Sequence, residues 1–144
     1  MNKRLVFTFI VFFSLFSTHS FSQSKDKNVI LEILHAQEIA WNSGNIESFM
    51  RGYWNNDSLM FIGKSGINYG WEKTLKNYKK SYPDTVSMGK LAFTILQIKP
   101  LATGYYFIVG EFHLERKMGN LQGYFDLLFK KINGKWLIVA DHTS

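Results

Sequence analysis

The sequence predicts an α+β domain in which three N-terminal helices pack on a curved antiparallel sheet. Three observations carry this. Apolar residues recur at three- and four-residue steps in the first half of the chain, and the second half turns to β-branched and aromatic runs separated by turn residues. Between the last two of those runs sits Asn133-Gly134, the pair favoured by a two-residue hairpin turn with both central residues at positive φ. Composition agrees: 144 residues that are 46% hydrophobic and 19% charged, with two prolines, make one ordinary globular domain. The absence of cysteine excludes a disulfide scaffold and thiolate chemistry.

The N-terminus reads differently. Lys3 and Arg4 precede an apolar run from Leu5 to Phe16, and the polar stretch from Ser17 to Gln23 follows it. This is the charged, apolar and small-residue order of a secretory signal peptide over residues 1–22, with Ser20 and Ser22 before the cut and a folded domain over 23–144. The apolar run is too short for the roughly 20 residues that cross a bilayer, so no stable membrane anchor is expected after cleavage and the location is periplasmic or secreted. Removing Lys3 and Arg4 lowers the net charge from +6 to +4. Lys76, Lys79, Lys80, Lys130, Lys131 and Lys135 are interspersed with apolar residues and acids and have no arginine cluster among them, so nucleic acid is not an expected partner.

The elements follow in order. Ile30, Ile33, Leu34, Gln37, Ala40 and Trp41 form one stripe of a helix from Asn28 to Asn42, which Gly44 stops. A short second helix begins near Asn45, whose side chain caps it, and carries Ile46, Phe49 and Met50 inward. Leu59 to Ile62 reads as a short strand, and Gly63, Gly66 and Gly70 then break the pattern. The third helix runs from Trp71 to Ser81 with Leu75 and Tyr78 on its inner face and Pro83 beyond its end. Lys90 to Lys99, Gly104 to Arg116, Gln122 to Ile132 and Lys135 to Asp141 are the four antiparallel strands.

Certain segments carry a family likeness: Ala40-Trp41-Asn42-Ser43-Gly44-Asn45 with Phe49 and Tyr53, Leu59-Met60-Phe61 before a glycine-rich turn, and the run from Gly123 through Trp136 closing on Asp141-His142-Thr143-Ser144. With these segments the whole of 23–144 resembles the nuclear transport factor 2-like superfamily, and more narrowly its SnoaL-like and ketosteroid-isomerase-like secreted domains. The resemblance implies a cone-shaped sheet wrapped on the helices, a deep apolar pocket and a homodimer. It does not select an activity, because such a fold hosts several.

Register arithmetic locates the polar candidates. A two-residue turn at Asn133-Gly134 pairs Phe129 with Ile138, Phe125 with His142 and Asp126 with Asp141. One face then carries Phe125, Leu127, Phe129, Trp136, Ile138 and His142, while Tyr124, Asp126, Leu128 and Asp141 lie on the other. A two-residue turn at Gly119-Asn120 sets His113 opposite Asp126 and Glu111 opposite Leu128, which groups Glu111, His113, Asp126 and Asp141. That grouping is either a polar sheet face or an oriented imidazole, and it lacks the ligand spacing of a metal site.

His142, at the end of the apolar face, is the first catalytic candidate, with Asp141 beside it: desolvation keeps its imidazole neutral and able to move a proton. Its alternative is a core histidine bonded to a backbone carbonyl. Trp41, Trp54, Phe61, Tyr69, Trp71, Tyr78, Phe112 and Phe125 are the expected lining of a pocket for a small apolar or amphipathic molecule, oriented by His142. The resemblance implies that ketosteroid-isomerase-like chemistry would need a carboxylate base in that pocket beside a donor such as Tyr53, Tyr69 or Tyr78; the helix stripe has Gln37 and Trp41 where an acid would serve, Glu38 and Glu47 look outward and Asp57 sits in a turn, so that motif is not matched. Two functions stand: a small-molecule-binding domain with no assignable reaction, or a cofactor-independent isomerase, lyase or cyclase using His142. No cofactor and no metal are implied.

Overall fold

The computed structural model describes residues 24–144. The expected signal peptide over 1–22 lies outside the described residues. Helix α1 runs to residue 42 and buries Ile30, Leu34, Gln37, Ala40 and Trp41, the stripe expected from the sequence. It closes at Gly44, whose φ of 79° directs the Asn45 N–H back to the Ala40 carbonyl at 2.9 Å. Helix α2 (Ile46–Phe49) is capped by Asn45, whose side-chain oxygen accepts from the Ser48 N–H at 2.9 Å, and passes into a 3₁₀ turn over Met50–Gly52. Gln37 donates to the Phe49 carbonyl at 3.0 Å and so ties this turn to α1.

Helix α3 spans Trp71–Ser81 as expected, with Trp71, Leu75 and Tyr78 packed on the core and Thr74 buried. A fourth helix, α4 (Thr85–Met88), was not anticipated: Asp84 and Ser87 form a reciprocal capping box that stabilises one isolated turn.

Six strands form one sheet in the order β2-β1-β6-β5-β4-β3, where β1 is Met60–Gly63, β2 Gly66–Tyr69, β3 Lys90–Ala102, β4 Tyr105–Glu115, β5 Leu121–Ile132 and β6 Lys135–Thr143. The expectation of a wholly antiparallel sheet is corrected, because β1 pairs parallel to β6 with Phe61 beside Asp141. Strand direction across so long a connection is a tertiary property that local residue pattern does not carry. β2, hidden in the glycine-rich stretch, pairs antiparallel with β1.

The helices cover one face of the sheet, and Tyr106, Ile108, Leu127, Phe129, Trp136 and Ile138 of that face are buried beneath them. At the β3 edge, Asn42 both donates to the Leu91 carbonyl and accepts from its N–H, while Glu38 accepts from the Phe93 N–H. Side chains of α1 thereby occupy backbone groups that an edge strand otherwise leaves open.

Two registers differ from expectation. The β4–β5 connection is residues 116–120, held by the Arg116 N–H on the Asn120 side chain at 3.0 Å and Arg116 Nε on the Gly119 carbonyl at 2.8 Å. His113 therefore faces Gln122 rather than Asp126, and Glu111 faces Tyr124 rather than Leu128. This slide is an even number of residues, so partners change and faces do not.

The β5–β6 hairpin begins as expected, with Asn133 and Gly134 at φ 50° and 77° and Phe129 opposite Ile138. It then shifts between Leu128 and Phe129, so that Leu127 meets Asp141, Asp126 meets His142 and Phe125 meets Thr143. Val139 is the extra residue of a β-bulge. One inserted residue reverses every later side chain, and the expected pairings of Phe125 with His142 and Asp126 with Asp141 are both overturned.

Candidate functional site

The bulge at Val139 turns Asp141 into the helix-covered face, where it is 4% exposed, and turns His142 out to solvent. Asp141 meets Tyr53 there. Tyr53 leaves the 3₁₀ turn, bridges to Ile138 of β6 and is also 4% exposed. Its hydroxyl donates to Asp141 Oδ2 at 2.6 Å, and the Thr143 hydroxyl donates to Oδ1 at 2.9 Å. Among the described residues no lysine or arginine forms an ion pair with this carboxylate.

Burial without a cation pushes the Asp141 carboxyl up to about 6, with the Tyr53 and Thr143 hydrogen bonds opposing the rise. Burial and the neighbouring carboxylate hold the Tyr53 phenol well above its ordinary range, so it stays a donor at any ordinary pH. Tyr78 is raised in the same way and couples through its hydroxyl to Tyr53.

Aromatic rings enclose this polar centre. Tyr78 lies 5.4 Å from Phe49, 5.7 Å from Phe61 and 6.3 Å from Tyr82 between ring centroids. Trp41 closes the helix side, 5.2 Å from Phe49 and 4.8 Å from Tyr82, with its indole N–H on the Met88 carbonyl at 3.1 Å. Phe125, paired with Thr143, extends the floor toward Phe93 at 5.1 Å and on to Phe112, the cross-strand partner of Phe93. Phe61, Tyr78, Tyr82, Phe93 and Phe112 keep partial exposure, whereas Trp41, Phe49 and Tyr53 are buried. A cleft of about 550 Å³ between α2, the end of α3 and α4 reaches Tyr82 from outside, with the Glu47–Lys79 ion pair and Asp84 at its rim.

Of the expected lining residues, Trp41, Phe61 and Tyr78 surround the Tyr53–Asp141 pair, and Phe112 and Phe125 continue its floor. Trp71 instead anchors α3, its indole N–H on the Met50 carbonyl at 3.0 Å, and the Trp54 backbone N–H donates to the Ile138 carbonyl of β6 at 2.9 Å. Tyr69 is 57% exposed on the edge strand β2. His142 is the main correction: it lies on the outer face, Nδ1 at 3.0 Å from Asp126 Oδ1, on the side of the sheet away from Trp41. The grouping of Glu111, His113, Asp126 and Asp141 is dispersed, because the slid register parts His113 from Asp126 and the bulge sends Asp141 inside. The acid that the first register kept out of the interior is therefore Asp141. Thr143 and Tyr82 were missed; the Tyr78-to-Tyr82 spacing of four was the one available signal for the latter.

A mixed sheet packed over helices, with a tyrosine-bonded carboxylate buried between them, defines an α+β domain. Comparison with solved structures carries this further. The chain is 42% identical to an NTF2-like protein of unknown function from Shewanella oneidensis MR-1, with 83% of this chain and 98% of that one covered and a TM-score of 0.80. The chain belongs to the NTF2-like family. A ketosteroid isomerase-like protein from Erwinia carotovora atroseptica SCRI1043 shares the fold at 16% identity and a TM-score of 0.61, over 81% of this chain and 93% of that one. An NTF2-like protein of unknown function from Pseudomonas putida KT2440 does so at 11% identity and a TM-score of 0.67, over 84% and 87%. No family model and no curated protein matches.

Proposed function

We propose that the protein binds a small, largely apolar molecule on the aromatic lining around Tyr53 and Asp141, with those two groups as the polar anchor for a hydroxyl or carbonyl on the ligand. The observation that carries the reading is the buried Asp141 carboxylate, bonded to Tyr53 and Thr143 but to no cation. A buried charge left without a counter-ion is costly, and a binding or reacting site is where such a cost is retained. Tyr82, whose ring neighbours Tyr78, lines the outer cleft, which supports an approach from that side.

A second reading is favoured by one feature. A carboxyl raised to about 6 exchanges its proton near neutral pH, and a phenol that stays protonated beside it stabilises negative charge developing on a substrate oxygen. Under this reading the domain is a cofactor-independent isomerase, lyase or cyclase in which Asp141, not His142, moves the proton.

The N-terminal segment supports export to the periplasm or beyond. The outer sheet face, where Phe107, Val109, Leu128 and Leu137 remain partly exposed beside Tyr124, supports a homodimer through that face.

The test is a thermal-shift screen of flat compounds bearing a hydroxyl or carbonyl. Compounds that stabilise the wild type are expected to lose their shift in Asp141→Asn and Tyr53→Phe while both variants stay folded. Shifts that persist in both variants would place the ligand elsewhere and sink the reading.

A further inference from the structure

The lysines scattered along the sequence converge at one end of the fold. Asp26, in the first turn of α1, accepts from Lys131 Nζ and from the Trp136 indole N–H, both at 2.9 Å, which fixes the start of that helix on the β5–β6 hairpin. The Lys131 N–H donates to the Gly104 carbonyl at 2.9 Å and draws in the β3–β4 turn. Lys25, Lys27, Lys99, Lys130, Lys131 and Lys135 thus share one rim. The segments that build it, residues 24–28, 97–105 and 128–137, contain one acid, Asp26, which Lys131 already neutralises.

Lys130 lies 5.5 Å from the Tyr105 ring centroid, and Lys25, Lys27, Lys99 and Lys135 are exposed. Among them Leu101 is 53% exposed at a break in the β3–β4 pairing between Pro100 and Ala102, so an apolar side chain projects from the charged rim.

We propose that this rim docks the protein on an anionic phospholipid surface. Two features choose a bilayer over a dissolved polyanion. The rim's cations are all lysines, point charges suited to diffuse headgroup charge rather than the forked guanidinium that grips single phosphates. Leu101 offers an apolar contact that a polyanion cannot use and an interface can. Each exposed lysine near an anionic bilayer strengthens binding roughly fivefold, and the attraction fades within a Debye length.

The experiment is cosedimentation of the exported protein, its N-terminal residue defined by mass spectrometry, with vesicles of phosphatidylcholine alone or with about 30% phosphatidylglycerol. Binding is expected only with phosphatidylglycerol and is expected to weaken as salt rises. The triple variant Lys27→Gln, Lys99→Gln, Lys135→Gln should bind about 100-fold more weakly. A triple with the same charge loss elsewhere, Lys64→Gln, Lys73→Gln, Lys117→Gln, should change binding less than about threefold. Equal binding to both vesicles, equal loss in both triples, or release from vesicles by stoichiometric soluble polyphosphate would each overturn the proposal.

Discussion

Replacing Asp141 with Asn should stabilise the protein at neutral pH and leave it unchanged near pH 4. The carboxyl moves from an ordinary value of 3.8 to about 6 in the fold, so the native state keeps its proton where the unfolded chain has lost it. Between those values the native state binds more protons, and stability falls as pH rises. Below about pH 4 both states are protonated and the group contributes nothing; above about pH 6 to 7 the full penalty is present. A shift of about two pH units corresponds to roughly 3 kcal/mol. Asn has the shape of the protonated acid and still accepts from Tyr53, while the Thr143 hydroxyl can rotate to receive its N–H. Urea unfolding of both proteins from pH 4 to 8 measures the difference directly. The comparison cancels the other carboxyls, and those of Asp26, Glu47 and Asp84 are held below their ordinary values and so titrate lower still. A gain of about 1–3 kcal/mol at pH 7.5 that shrinks to near zero at pH 4 is expected. A pH-independent loss, or no difference across the range, would refute the account of Asp141 as a buried charge without a counter-ion.

Tyr53→Phe removes the 2.6 Å donor and leaves one carboxylate oxygen unsatisfied, so Asp141 should titrate higher still, and stability should fall by about 1–3 kcal/mol at pH 7.5 but less at pH 4. Carbon-13 NMR of the labelled carboxyl and urea unfolding read the two effects. Asp26→Ala frees both Lys131 and the Trp136 indole, and a loss of about 1–2 kcal/mol with faster amide exchange in the first turns of α1 is expected. Gly134→Val forces a β-branched residue to φ 77°, which should cost about 1–2 kcal/mol in thermal unfolding.

Much of the fold was legible because its signals are local. The stripe from Ile30 to Trp41, the stop at Gly44, the bounds of Trp71–Ser81 and the Asn133-Gly134 turn each depend on residues within a few positions of one another. What was not legible depends on partners distant in the chain. β1 lies beside β6 because the helices deliver it there, and four residues of glycine-rich sequence are too few to announce β2. Trp71 looked like a pocket residue by type, but whether a ring lines a pocket or fastens a helix is decided by what stands opposite it.

The site itself turned on parity. The β4–β5 connection was misjudged by more residues than the β5–β6 hairpin, yet it left every side chain on its expected face, since an even slide only exchanges partners. The single extra residue at Val139 did the opposite: it exchanged Asp141 with His142 and gave the interior a carboxylate where an imidazole was expected. Nothing in Leu137-Ile138-Val139-Ala140 marks that insertion, because each residue suits a regular strand. The surroundings do. With Asp141 outside, Tyr53 would bury its hydroxyl without this acceptor; with Asp141 inside, donor and acceptor satisfy one another, and His142 finds Asp126 on the outer face. The hydrogen bonds available on either side of the sheet thus favour the bulged register, and the same choice decides that the interior holds a carboxylate and the outer face an imidazole.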